Sequence, residues 1–269
     1  MKVDKNIVRQ FSNVVFSATQ IVAGYFWSWV AAGESIRSQS DIVRTPVIPA
    51  GYAFSIWSVI FLFSFLYAIY QALPSKRENR IFQSIGFWTA GAFLFCTIWE
   101  IVAQSITFGW PTAVIITIIL VFSLKAFFNL LQFNNVLTRR EKWLVKLPVN
   151  MLAGWVSMAT FANISSVLKQ IQFNYFGIGE INFSIILILL ATILVLFILL
   201  KSQGDLIYGL TIIWALLAIF WANYGQSNFM VSVFAVIMLL EVTGILIFVH
   251  RFDLRNLLRN RLRKSKNKV

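Results

Sequence analysis

Long apolar runs separated by short polar and basic punctuation dominate the chain. Eight such runs stand out, at 11–32, 53–72, 82–105, 111–132, 147–168, 181–200, 206–224 and 229–249. Each is close to the roughly 20 residues that carry a helix across about 30 Å of hydrocarbon. The pattern therefore predicts an all-α fold, a polytopic membrane helical bundle of about eight transmembrane helices. The first run follows Lys2, Lys5 and Arg9, as a signal peptide would, but its 22 residues exceed the roughly 7–15 residues of a cleavable apolar region. It reads as a retained helix.

The punctuation orients the bundle. If the N-terminus lies inside, nineteen of the 23 Lys and Arg fall in segments on that side, three (Arg37, Arg44, Lys169) fall outside and Lys125 lies within a span. Such alternation in register with eight spans is what the positive-inside rule demands. It predicts a multi-pass protein of the cell membrane with both termini cytoplasmic. The formal charge of +13 is thereby a topology signal, which calls for membrane lipid as a partner and for no nucleic acid. After His250, Arg251, Arg255, Arg259 and Arg263 recur every fourth residue, a basic tail suited to anionic headgroups.

Composition narrows the chemistry. With 59% hydrophobic and 12% charged residues, the chain has too little polar surface to cover a soluble globule. One cysteine, Cys96, and one histidine, His250, cannot build a disulfide framework, a zinc site or a histidine cluster, and they leave a His-activated nucleophile without support. The sequence reads as a non-enzyme with no required cofactor and no metal.

The longest outside connection, "GESIRSQSDIVRTPVIP", ends in "TPVIPAGYAFSIW" at residues 45–57. Pro49 fixes its own φ and drives Ile48 toward extended geometry, and it suits the first turn of span two, where its missing N–H costs nothing. Tyr52, Phe54 and Trp57 follow. Two readings stand: an aromatic-belt start to a helix, or a structured lid over a cavity.

This segment resembles the TspO/translocator protein family, the tryptophan-rich sensory proteins. In span three, "CTIWE" is similar to the family's Asn-x-x-Trp signature, with Cys96 in place of Asn and Trp99 kept. In span five, "LPVNMLAGWVSMATFAN" keeps Trp155, Ala159 and Asn163 at the family's Trp-x3-Ala-x3-Asn spacing. The resemblance covers about residues 5–170 and divides the chain into a TspO-like five-helix core (1–170), three additional transmembrane helices (171–250) and a basic tail (251–269). It implies a receptor or regulator that binds a planar hydrophobic small molecule, tetrapyrrole-like (haem or porphyrin) or sterol-like, in a cavity capped by the first outside loop. A homodimer is compatible with it. Carried over by position, Tyr52, Trp57, Trp99, Trp155, Ala159 and Asn163 would line that cavity; the competing reading for each is packing or interhelical hydrogen bonding.

Three ionisable residues fall inside spans. Glu100 lies near the outer end of span three, where it is expected to face water. Counting 1.5 Å per residue, Glu241 and Lys125 lie about 18 Å and about 21 Å below the outer boundary, a shared depth. That depth is compatible with a buried charge pair, with snorkelling of Lys125 while Glu241 faces a wet cavity, or with the pathway of a small-solute transporter. Asn163 and Asn223 would add to that polar interior, and "WVSMATFAN" in span five is faintly echoed by "WALLAIFWAN" in span seven.

Overall fold

A computed structural model describes residues 4–29, 35–105, 108–226 and 228–266, with side chains through Tyr25 in the first helix and Arg251 in the last. The described residues form only helices and connections: α1 (Lys5–Trp29), α2 (Ile36–Ile42), α3 (Ile56–Ala72), α4 (Arg80–Ile85), α5 (Trp88–Ser105), α6 (Trp110–Leu131), α7 (Arg139–Glu141), α8 (Leu147–Gln170), α9 (Glu180–Lys201), α10 (Leu206–Asn223) and α11 (Phe229–Lys266). Among the described residues six segments are long and apolar enough to cross a membrane: Gly51–Ala72, Trp110–Leu131, Arg139–Gln170, Glu180–Lys201, Leu206–Asn223 and Phe229–Arg251. The remaining two expected spans correspond to α1 and α5, which are more polar because they bury polar groups. Asn13, Ser17 and Gln20 of α1 and Glu100 and Gln104 of α5 are all buried. The two helices meet through Thr19 and Thr97, whose hydroxyls lie 2.9 Å apart.

Span three begins later than its hydropathy suggests. Gly86, at φ +60°, ends α4 and lets the chain restart as α5 at Trp88; a side chain would resist that left-handed turn. The Ser84 carbonyl freed there accepts from Asn129 Nδ2 at 2.8 Å.

The bundle is built around α8, which packs on α3, α6, α9 and α10. Two-thirds of its span is buried (67%), against 33–50% for the other candidate spans. Sequence explains the closeness: Gly154 has no side chain where any Cβ would come within 3.0 Å of Thr211 Cβ and 3.1 Å of the Tyr208 carbonyl. Small residues are how membrane helices bring backbones together in the absence of a hydrophobic force between them. Tyr208 then donates from its hydroxyl to Ser157 Oγ at 3.0 Å. At its start α8 is preceded by a π-helical turn, Lys142–Lys146, beside Pro148, which has no N–H for a regular ladder.

One end of the bundle collects the cations. Arg9 donates to Gln71 Oε1 and to the Arg77 carbonyl at 3.0 Å each, while Lys76 pairs with Glu141 at 3.2 Å and Lys146 with Asp205 at 2.8 Å. The contact of the ammonium with Tyr70, over whose ring it lies at 4.8 Å, and its hydrogen bond to Glu141 lift Lys76 above the ordinary lysine range against the opposing effect of burial. The opposite end carries the proline-rich segment. The backbone of α11 continues helically through Lys266, while the side chains of the basic tail lie outside the described residues.

Candidate functional site

The segment 45–55 lies across the end of the bundle as a cap. Thr45, Pro46, Val47, Ile48 and Pro49 are all buried. Pro49 is not the first helical residue: Ala50 is extended (φ −57°, ψ 144°) and caps a 3-10 turn over Gly51–Ser55, after which α3 starts at Ile56. The reason is a long-range bond. Ala50 N–H donates to the Ala218 carbonyl of α10 at 2.9 Å, which holds the chain away from α3's axis until it has passed Pro49.

Further bonds tie the cap down. Asn223 Nδ2 donates to the Pro46 carbonyl at 2.9 Å and Trp214 Nε1 to the Ala53 carbonyl at 3.3 Å, both from α10. From α8, Ser165 Oγ donates to Thr45 Oγ1 at 2.7 Å and Lys169 Nζ to the Arg44 carbonyl at 2.6 Å. Of the Asn residues that end the two echoed segments, Asn223 holds the cap, whereas Asn163 accepts from Thr112 Oγ1 of α6 at 3.0 Å.

Beneath the cap lies an aromatic chamber. Trp57, from α3, stacks obliquely on Trp99 of α5 with centroids 5.6 Å apart and meets Trp155 of α8 edge-on at 6.1 Å. Phe54 approaches Trp155 at 6.3 Å and Phe108 approaches Trp99 at 6.1 Å. Trp57, Trp99, Trp155, Ala159 and Asn163 all border one cavity, along with Met158, Pro49 and, from α10, Ala215 and Ile219. The spacing of Trp155, Ala159 and Asn163, four residues apart, puts them on one face of α8.

Tyr52 stands elsewhere. It is 45% exposed and packs edge-on against Trp214 with centroids 5.5 Å apart, because the 3-10 turn swings it toward α10. Sequence reasoning missed Ala215, Ile219 and Trp214; the echo between spans five and seven was the one signal that pointed to α10.

The free volume in the chamber is about 30 Å³, enough for water and little else. Drug-sized ligands occupy about 300–1,000 Å³, so a tetrapyrrole does not fit while the cap is down. The walls are almost wholly apolar, with one feature that apolar packing leaves unexplained: Trp99 Nε1 and Trp155 Nε1 are buried without a hydrogen-bond partner among the described residues. An unmet buried donor costs about 1–3 kcal/mol. For haem iron the walls supply no His, Cys or Tyr, and Met158 is the one side chain among them that ligates such iron.

Lys125 and Glu241 do not form the expected pair. Both are exposed on the outside of the bundle, and no ion pair joins them among the described residues. Shared depth was not shared azimuth: α6 turns Ser123, Ala126 and Phe127 inward and α11 turns Met238 and Val242 inward, so the charged positions point away from the core. Glu100 departs from expectation in the other direction, being buried at 3% exposure instead of facing water.

A comparison with curated proteins and one with solved structures find no match. The family described as TSPO-like protein matches residues 10–249, a range that takes in α9, α10 and α11 as far as Val249. A helical membrane bundle with its Trp-lined hollow under a proline-rich loop, matched from the first helix to the last, belongs to the TSPO-like family.

Proposed function

We propose that this TspO-type membrane protein is a non-enzymatic receptor or regulator that takes a flat hydrophobic ligand, of the tetrapyrrole or sterol class, into the chamber when the cap over 45–55 lifts. The observation that carries this reading is the pair of unpartnered indole N–H groups, Trp99 and Trp155, in a cavity walled by aromatic rings. Ring faces suit a planar apolar body, and two waiting donors suit a ligand edge bearing carbonyl or carboxylate oxygens. The closed volume of about 30 Å³ makes cap opening a condition of binding. With both termini on the cytoplasmic side, as the basic residues imply, the cap would face outside.

The transporter alternative rested on Lys125 and Glu241 and finds no support in side chains that face away from the interior. The test is titration of the purified chain with protoporphyrin, read by Trp quenching. Trp155→Phe, which keeps a ring but removes the N–H, is expected to weaken binding about five-fold, the equivalent of one neutral hydrogen bond. Tyr52→Ala is expected to leave affinity unchanged. Absence of saturable quenching, or a larger effect at Tyr52 than at Trp155, overturns the reading.

A further inference from the structure

A second hollow lies beside the chamber, between α1, α2, α3 and α5. It has about 150 Å³ of free volume, and Phe54 and Trp57 form a wall common to both. Its floor is polar. Glu100 and Gln104 stand one helical turn apart on α5, 3% and 2% exposed, and both border the hollow.

The hydrogen bonds of this floor are one-sided. Gln104 Nε2 donates to the Ala23 carbonyl at 3.1 Å, to the Glu100 carbonyl at 3.0 Å and to Glu100 Oε2 at 3.1 Å. That uses the amide's donors on acceptors already present and leaves Gln104 Oε1 buried with no donor. The Tyr25 hydroxyl at the rim donates to Ser58 Oγ at 2.6 Å, away from the floor. Among the described residues that border the hollow there is no Lys, Arg or His. At the floor the atom left without a partner is thus an acceptor, Gln104 Oε1, one helical turn from the Glu100 carboxyl group.

A carboxylate buried without a counter-ion is destabilising by several kcal/mol, so the arrangement asks for a cation. Two features say what kind. The rings of Trp57 and Phe61, stacked with centroids 5.3 Å apart, border the hollow, and aromatic faces attract a desolvated cation. Gly24 leaves open the space beside Phe61 and Glu100, where any Cβ would lie 3.2 Å from Phe61 and 3.8 Å from Glu100 Cδ. A hard metal ion would want six or more oxygen ligands, and no metal-sized group of His, Cys, Asp and Glu occurs among the described residues. A proton alone would neutralise the carboxyl but leave the ring-lined volume without an occupant.

We propose that this hollow binds a small organic ammonium ion, its N–H groups donating to Glu100 and to Gln104 Oε1 and its hydrocarbon body lying against Phe54, Trp57 and Phe61. The site goes beyond the planar-ligand reading of the chamber and fails separately from it, because a porphyrin titration reads Trp155 and an amine titration reads Glu100.

Benzylamine and its neutral counterpart benzyl alcohol are the probes, titrated into the purified full chain and followed by calorimetry and Trp fluorescence. Benzylamine is expected to bind saturably and at least about ten-fold more tightly than the alcohol, as a charge-assisted hydrogen bond requires. Glu100→Gln, close to isosteric, is expected to remove that preference and leave the alcohol unaffected. Gly24→Val, which fills the space, should weaken both probes. Equal affinities for amine and alcohol in the unaltered chain, undiminished amine binding by Glu100→Gln, or no saturable amine binding would each overturn the assignment.

Discussion

Asn223→Ala should loosen the cap without unfolding the bundle. Asn223 is 2% exposed, and its Nδ2 bridges the Pro46 carbonyl at 2.9 Å and the Ile219 carbonyl at 2.8 Å. Ile219 O is a helix carbonyl near its own ladder, but Pro46 O loses its donor from α10. A buried carbonyl left without that donor costs about 1–3 kcal/mol. The penalty falls on the closed state alone, since a lifted cap offers the oxygen to water. Taking about 2 kcal/mol, the open population rises roughly 30-fold. The bonds donated by Ser165, Trp214 and Lys169, and that from Ala50 N–H to the Ala218 carbonyl, stay in place, so opening remains local.

Hydrogen–deuterium exchange reads this directly at Ile48, Ala50 and Ala53, whose N–H groups bond to Thr45, Ala218 and Ala50 carbonyls. Peptides across 45–55 should exchange at least about ten-fold faster while α8 and α10 keep their protection. If only the open form admits ligand, porphyrin association should accelerate by a similar factor. Unchanged exchange in the cap, or exchange that rises along α10 as well, would refute the account of Asn223 as a local tether; faster exchange with unchanged association would refute the cap as the barrier to binding.

Gly154→Ala should lower stability in detergent by about 1–3 kcal/mol, since its Cβ would meet Thr211 and the Tyr208 backbone with no room to yield. Gly244→Ala, where nothing lies within 4 Å, should instead be neutral or stabilising by about 0.5–1 kcal/mol; thermal unfolding that moves both variants the same way would contradict the packing described. For the charges on the outer surface, Lys125→Leu and Glu241→Leu should combine additively within about 0.5 kcal/mol. A larger coupling in the double-mutant cycle would mean that they interact after all.

Helical spans and the face of α8 were legible because both depend on local periodicity. Trp155, Ala159 and Asn163 had to share a face whatever surrounded them. What the sequence concealed is azimuth and partnership. Counting residues put Lys125 and Glu241 at one depth, but only packing decides that α6 and α11 turn those positions outward. Tyr52 lay in the same short stretch as Trp57, yet the 3-10 turn over Gly51–Ser55 rotates it onto Trp214, a residue 162 positions away in a helix that local pattern could not pair with the loop. Glu100 beside Trp99 read as a rim residue, and its burial follows from the contact of α1 with α5, which only the polar content of α1 could have suggested.

The tethers from α10 also set an order of assembly. Asn223 lies 177 residues after Pro46, so during synthesis the aromatic walls from α3, α5 and α8 enter the translocon long before the helix that latches the cap has left the ribosome. A nascent chain halted after α8 would hold the Trp walls and the cap bonds from Ser165 and Lys169 but lack Ala215, Ile219 and the bonds from α10, leaving the hollow open on that side. Closure of the bundle is thereby deferred to the insertion of the penultimate helix.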